Sequence, residues 1–480
     1  MAKKKLTQLD IFKRLAVIAL AAVLSVTAVF GGLAITNAAI GPKFRDSYYA
    51  ALPVKYDRLY SIEGSKLVVI GGSSVAFGID TELAERELGM PCVDFGLYAA
   101  FGLKPMLDLA AGAISKGDIV VITPELSGYM YSDAVGYEYL AQALDGRGDM
   151  KLRLGAGYFT GLLASIPGCI STKLKLASAE SKESGTVYSA SSFDEQGRMI
   201  YKRENNIMDG GYTMDNLPEL DPAMVTDSFV AMIGSFAGAM ERKGARVYFG
   251  FPPVNRLAVE MAAEDGKTGP ELLEAELRRK LGVRILSGIS DHIMEPGYFY
   301  DSNYHMNDTG KVYNTLLLIN DIKRETGDLG NTSIQLPKPP AGSSENAVLS
   351  SGEQDGLKYD VTSSGVIITG LNNEGRRKRV LTVPESIENA KVYKIGNRAF
   401  AGASAETIEL PEVSVLGGEI FKDAASLKDV HLRAVKLPEV GDSLLSGAPA
   451  NVKIYVPQEV YGTYITDYFW ARFNTKLAGE

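Results

Sequence analysis

The sequence predicts an α/β protein: a parallel sheet layered by helices on both faces, preceded by one apolar helix and followed by a short solenoid of repeats. Three observations lead there. Short, continuously apolar runs alternate with amphipathic stretches between residues 66 and 326. That is the pattern of strands buried on both faces and joined by crossover helices. An uncharged run of 21 residues occupies 15–35. A motif near residue 395 returns 21 residues later, and such a period belongs to solenoids whose turns bury an apolar face on each other.

The N-terminal segment comes first. Lys3, Lys4, Lys5, Lys13 and Arg14 lie within residues 1–14, and Lys43 and Arg45 follow the apolar run. As a helix the run would cross a hydrocarbon core of about 30 Å. The cations ahead of it predict a cytoplasmic N-terminus, with the bulk of the chain outside the cell membrane. The expectation is an uncleaved single-pass anchor at 15–35. The alternative is a cleaved signal peptide, with Thr36-Asn37-Ala38 as its small-residue site. The run, however, is longer than the usual apolar core of about 7–15 residues. With only Cys92 and Cys169, an exported chain has no disulfide framework and must rest on core burial.

The sheet elements follow. KLVVI at 66–70 is the first strand. A helix comes next, with Asp80 as its N-cap and Gly89 just past its end. CVDFGL at 92–97 is the second strand, a helix covers about 103–115, and DIVVIT at 118–123 is the third strand. Residues from about 150 to 215 break the rhythm, and 178–192 are polar and serine-rich; this stretch reads as an insertion or lid. The rhythm resumes with a helix near 223–243, the strand ARVYFGF, a helix near 271–281, the short strand VRIL and a last helix at about 308–325. Sites in such sheets lie at the carboxyl ends of the strands.

Residues 330–356 are rich in Pro, Ser and Gly and read as a linker. Beyond it, 357–480 carry the repeats. Ile395 to Leu416 and Phe400 to Phe421 are steps of 21, Ile408 to Val430 is 22, and a weaker third copy ends in VKIYVP. The segment 359–370 would cap one end, and YGTYITDYFW the other. The Ile-Gly-x-x-Ala-Phe element with a later Ile/Val-x-Leu strand resembles BspA-type leucine-rich repeats of bacterial surface proteins.

Composition removes several function classes. A net charge of -8 disfavours nucleic acid as a partner. Two cysteines and three histidines leave too few ligands for a zinc ribbon or a multi-histidine centre. There is no GxGxxG and no Walker lysine, so no cofactor is expected. Histidine-based catalysis must use His292, His305 or His431. His292 reads as a solvated loop residue and His431 as a structural residue of a repeat strand.

Gly71-Gly72-Ser73-Ser74 ends the first strand and opens a helix. A serine there stands at the sheet crevice, and its N–H near a helix start can stabilise an oxyanion. Alone, such a turn is equally a structural or phosphate-binding loop. Far downstream, Tyr300-Asp301-Ser302-Asn303-Tyr304-His305-Met306-Asn307 precedes the last helix. His305 could take a serine proton, and Asp301 could fix its tautomer. As an isolated residue, His305 could equally be a packing histidine at a helix start.

GGSSVAFGID and DSNYHMN together resemble the nucleophile and terminal Asp-His blocks of the SGNH/GDSL hydrolases. The resemblance covers roughly residues 66–326 and is closest to the membrane-anchored, exported bacterial branch, which includes acyl-transfer proteins of cell-wall polymers. It implies a three-layer, flavodoxin-like parallel sheet. It also implies Ser73 as nucleophile, in preference to Ser74, with His305 as base and Asp301 as its orienting group.

The chain departs from the family at three places. Asp301 and His305 are four apart where three is usual, a spacing that the anchored branch also shows. Ala99, in Asp94-Phe95-Gly96-Leu97-Tyr98-Ala99, stands where the oxyanion glycine is usual, although its N–H could still donate; Gly96 belongs to the same block. Thr123-Pro124-Glu125 stands where an asparagine is expected. A carboxylate there opposes an oxyanion unless it is protonated or turned away. Glu125 therefore reads either as a group near the site or as a surface residue. Asn255, after the fourth strand, either lines the crevice or caps the next segment.

Two functions follow. One is an exported serine esterase or O-acyltransferase whose substrate is a cell-surface glycan or acylated wall polymer. The other is a non-catalytic binding or adhesion protein whose repeats hold a protein or glycan ligand.

Overall fold

The computed structural model describes residues 8–177, 186–208, 211–213, 215–262, 269–327, 348–362, 364–440, 443–467 and 470–480. The chain opens with α1 (Gln8–Ile40), α2 (Ala51–Ser61), β1 (Leu67–Gly71), α3 (Ser73–Gly78), α4 (Thr81–Leu88), β2 (Cys92–Gly96), α5 (Leu103–Ala111) and β3 (Ile119–Thr123). The inserted stretch carries α6 (Phe159–Ala177). Then come α7 (Asp227–Arg242), β4 (Arg246–Phe249), α8 (Pro270–Lys280), β5 (Arg284–Ile285) and α9 (Asp308–Thr326).

β1 to β5 form one parallel sheet in the order β2-β1-β3-β4-β5. Gly71 pairs with both Gly96 and Thr123, so three neighbouring strands end level with one another. Side chains alternate across the sheet, as the two-residue period of a strand requires. Val68, Ile70, Val93, Phe95, Val120 and Ile122 pack under α2, α5 and α7. Leu67, Val69, Cys92, Ile119 and Val121 pack on the other side, against α4 and α9. Each fully buried aliphatic side chain contributes roughly 1.5–3 kcal/mol, which is how a chain with two free cysteines holds together.

The helix ends follow local chemistry. Asp80 caps α4 by accepting the Leu83 N–H at 3.0 Å, and Gly89 ends that helix at φ 66°. Asn307 caps α9 by accepting the Gly310 N–H at 2.8 Å, which fixes the residues just before that helix.

Three features differ from the sequence expectation. First, α2 is an additional helix. It lies against β2 and buries Lys55, whose Nζ reaches Asp94 Oδ2 at 2.6 Å. Breaking such an enclosed pair costs roughly 3–5 kcal/mol. Second, the inserted stretch is not a lid: Val187, Tyr188, Phe193 and Met199 belong to the main core. Residues 178–185 of its serine-rich part lie outside the described residues. Third, most of the predicted linker also lies outside them, but its last part forms the strand Ser350–Gln354. The apolar run falls within α1, as the sequence predicts a helix there. Only part of α1 has described side chains, and among the described residues no single helix is long and apolar enough to cross a membrane.

The C-terminal part is a parallel two-sheet stack. Thr407–Leu410, Asp429–Leu432 and Lys453–Val456 pair in parallel along one side. Ala390–Ile395, Val415–Leu416 and Glu439–Val440 do so along the other. Phe400 and Phe421 stack between turns with centroids 6.1 Å apart. Arg398 and Glu419, at the same place in successive turns, both have left-handed backbone (φ 56° and 52°) and pair with each other. A non-glycine residue tolerates that conformation at a cost, and the ion pair joins the two strained turns. One end is closed by a hairpin of Leu357–Thr362 and Gly365–Leu371. The other is closed by Trp470, which is buried and donates its indole N–H to the Pro438 carbonyl at 3.0 Å.

Candidate functional site

The site forms where β1 turns into α3. Gly72 leaves no room for a side chain: a Cβ there would lie 2.4 Å from Glu125 Oε2. Gly96, beside it at the end of β2, is equally confined, since its Cβ would lie 2.5 Å from the Gly72 carbonyl oxygen. These close approaches set Ser73 at the first position of α3. The loop before α9 supplies the rest, held by the Asn307 cap and by the Tyr300 N–H, which donates to the His305 carbonyl at 2.8 Å.

Ser73 and His305 are 232 positions apart in the chain, and the fold brings Ser73 Oγ to 2.8 Å from His305 Nε2. His305 Nδ1 lies 2.8 Å from Asp301 Oδ1. A carboxylate on Nδ1 holds the proton there and leaves the Nε2 lone pair free for the serine hydroxyl. Ser73 and His305 are only 5% and 4% exposed, so little water competes for these bonds. The Ser74 hydroxyl makes no bond to His305 and has no hydrogen-bond partner among the described residues.

Three side chains outside the predicted set complete this arrangement. Tyr188 OH donates to Asp301 Oδ2 and lies 3.0 Å from His305 Nδ1. Phe77 stacks on the imidazole with centroids 4.0 Å apart. The buried Arg203 guanidinium covers Phe77 at 5.0 Å and donates to the Phe77 carbonyl. Burial pulls the Arg203 pKa below its ordinary value, and Asp308 opposes that pull. No local pattern marks these residues; Tyr188 and Arg203 lie in the stretch that reads as an insertion.

Tyr188→Phe removes one of the two hydrogen bonds on Asp301 and leaves the ring. We expect kcat/KM on an activated ester to fall about tenfold. The loss should fall on kcat and leave KM and the melting temperature unchanged, as for a group that positions Asp301 and does not touch substrate. An unchanged kcat, or a loss that follows a lowered melting temperature, would assign Tyr188 to packing alone.

The remaining predicted residues fall in different places. Glu125 is not on the surface; it is 4% exposed. Its Oε1 accepts the Ser74 N–H at 2.7 Å, and its enclosed Oε2 has no hydrogen-bond partner among the described residues. Ala99 begins a half-buried single turn, Ala99–Phe101, three residues past the end of β2. Asn255 does not line the crevice. It is fully buried, donates to the Gly211 carbonyl at 2.8 Å and accepts the Leu257 N–H at 3.0 Å. It thus caps the following helix and holds Gly211 in place.

The other two histidines are also placed. His292 is buried, not solvated, with Nε2 2.8 Å from Ser287 Oγ. Burial lowers its pKa. His431 stacks on Tyr455 in its repeat strand, 4.8 Å between centroids.

The repeat stack meets the site loop. Tyr300 OH donates to Glu439 Oε1 at 2.9 Å. Ser443 donates to Asp215 Oδ2 at 3.2 Å, and Thr186 donates to Asp467 at 3.2 Å. Burial, with Asp301 nearby, pushes the Glu439 carboxyl up to about 8.

No family model, curated protein or solved structure matches this chain.

Proposed function

We propose that this protein is an SGNH-like serine esterase or O-acyltransferase, anchored in the cell membrane by residues 15–35, with its bulk extracytoplasmic. It acts on acyl groups of cell-surface glycans or wall polymers. The observation that carries the reading is the Ser73–His305–Asp301 relay, with both links at 2.8 Å, at the carboxyl ends of a parallel sheet. The BspA-like character of the repeats, and the cations ahead of the apolar run, support a surface location.

The chemistry follows from the geometry. Ser73 Oγ attacks the acyl carbonyl as its proton passes to His305 Nε2. Asp301 stabilises the imidazolium that results. His305 returns the proton to the departing alcohol, leaving an acyl ester on Ser73. Water or a glycan hydroxyl then attacks that ester, gives its proton to His305, and releases Ser73, which recovers its own. The Ser73 and Ala99 N–H groups are the donors assigned to the oxyanion, with Gly96 giving them room. Glu125, beside them, sets how strongly that oxyanion is held.

The experiment is labelling of the full chain with a fluorophosphonate, followed by mapping of the modified residue. The expected result is modification of Ser73 that is lost in Ser73→Ala. An unmodified Ser73 beside a reactive control hydrolase would remove the catalytic reading. The second reading, a non-catalytic surface binder, is favoured by one observation: a carboxylate at position 125 packs against the nucleophile turn.

A further inference from the structure

A cleft of about 770 Å³ opens between the sheet domain and the repeat stack, within the range of about 300–1,000 Å³ typical of ligand sites. One wall comes from Met208, Tyr212, Thr213, Asp215 and Asn216 together with Asp301 and Ser302 of the loop that carries the relay. The other comes from the turns of the repeats, including Asn397, Gly418 and Ser446.

The lining is chemically distinctive. Four carboxylates face the cleft (Asp215, Asp301, Glu419 and Glu439) against two cations, Lys394 and Arg398. Arg398 is committed to Glu419. With Glu439 protonated, Asp215, Asp301 and Glu419 remain against Lys394 and Arg398, and Lys422 also pairs with Glu419 at 3.0 Å. A cleft whose cations are matched by carboxylates in this way offers a polyanion no electrostatic hold. Between the charges stand short hydroxyl and amide side chains, Thr213, Asn216, Ser302 and Ser446, with the Tyr212 ring among them. These groups both donate and accept, which suits a ligand whose surface is mostly hydroxyls. Glu439 adds an independent mark: its Oε2 is enclosed and has no hydrogen-bond partner among the described residues. An unsatisfied polar atom at a ligand cavity is a group that a ligand hydroxyl can complete.

We propose that this cleft binds the saccharide part of the substrate as a neutral, hydroxyl-rich oligosaccharide, and that the repeat stack supplies one of its two walls. The inference rests on the acyl-transfer reading for its purpose, because Asp301 and Ser302 of the relay loop line the cleft. The binding itself is a property of the two walls. It makes the repeats part of the substrate site instead of a separate adhesive module.

The test uses the full chain carrying Ser73→Ala, so that no turnover occurs, in a detergent without a sugar headgroup. Calorimetry is run with tetramers of N-acetylglucosamine, glucose and mannose, and with polyglycerol phosphate. We expect at least one neutral tetramer to bind and the phosphate polymer not to. Ser446→Trp should then weaken binding tenfold or more by filling the cleft. Val380→Ser, on the opposite sheet of the stack, should leave binding unchanged. If Ser446→Trp does not fold, Tyr212→Ala serves from the facing wall, with a several-fold loss expected. Absence of binding by all three tetramers overturns the proposal, as does preference for the phosphate polymer. So does a folded Ser446→Trp that binds like the parent. Tetramer binding without fluorophosphonate labelling would remove the acyl-transfer reading and keep the subsite; labelling without binding would remove only the subsite.

Discussion

His305→Ala is expected to lower the hydrolysis of an activated ester such as p-nitrophenyl acetate by roughly 10⁴- to 10⁶-fold, the range seen when the base of a serine relay is removed. The reason is positional. The Nε2 of His305 is the ring nitrogen 2.8 Å from Ser73 Oγ. His292 and His431 are engaged elsewhere, with Ser287 and with Tyr455 and Glu480. Ser73→Ala should lose as much, and the double variant little more, because the members of a relay act as one unit. Asp301→Asn should cost about 10⁴-fold through the wrong tautomer of His305. Circular dichroism and a melting curve would establish that each variant is folded. A folded His305→Ala that kept a tenth of the parent rate would mean that the relay does not carry the chemistry.

Glu125→Gln is expected to act in the opposite direction and speed acylation of Ser73 about 10²-fold. A carboxylate against the nucleophile turn opposes the negative charge that grows on the substrate oxygen. The amide is nearly the same shape. Its oxygen can keep the Ser74 N–H bond that Glu125 Oε1 makes at 2.7 Å, while its NH₂ replaces the unpartnered Oε2 with a donor. One well-placed oxyanion donor is worth about 10²–10³ in rate, which sets the scale. The measurement is the second-order rate of fluorophosphonate labelling, compared with the parent at the same pH. A slower Glu125→Gln would mean that the negative charge itself serves the reaction, for example by holding a cationic or hydroxyl group of the substrate. Position 125 would then be a substrate-holding group and not a brake on the oxyanion.

Much of the site was legible because it is written in local chemistry. Gly-Gly-Ser-Ser after an apolar strand places a serine at a carboxyl strand end on any parallel sheet. Asp301 and His305 precede an Asn-capped helix, so their loop is short and anchored. The scarcity of histidine left three positions to weigh. Tyr188, Phe77 and Arg203 were not legible, because none belongs to a pattern. Each matters only through what it touches: Asp301, the imidazole face and the Phe77 ring. His292 misled for the same reason: a position that reads as solvated loop is buried when a distant segment folds over it. Of the two readings of Asn255, the fold took the capping one.

The sequence by itself determined the alternation of strands and helices, the parallel sheet that this alternation requires, the repeat period, and the residue types available at the strand ends. These are properties of neighbours along the chain: apolar runs, caps, glycines at close approaches and spacings of 21. Tertiary structure alone decided that the serine-rich stretch sends Tyr188 into the core. It also decided that Glu125 turns inward beneath the nucleophile and that Glu439 of the repeats meets Tyr300 beside Asp301. The separation of 139 positions from Tyr300 to Glu439 leaves no local signal of that contact. It exists because two separately patterned units bury surface on each other, and the energy of such docking depends on shape and charge across the gap, which no window of sequence contains.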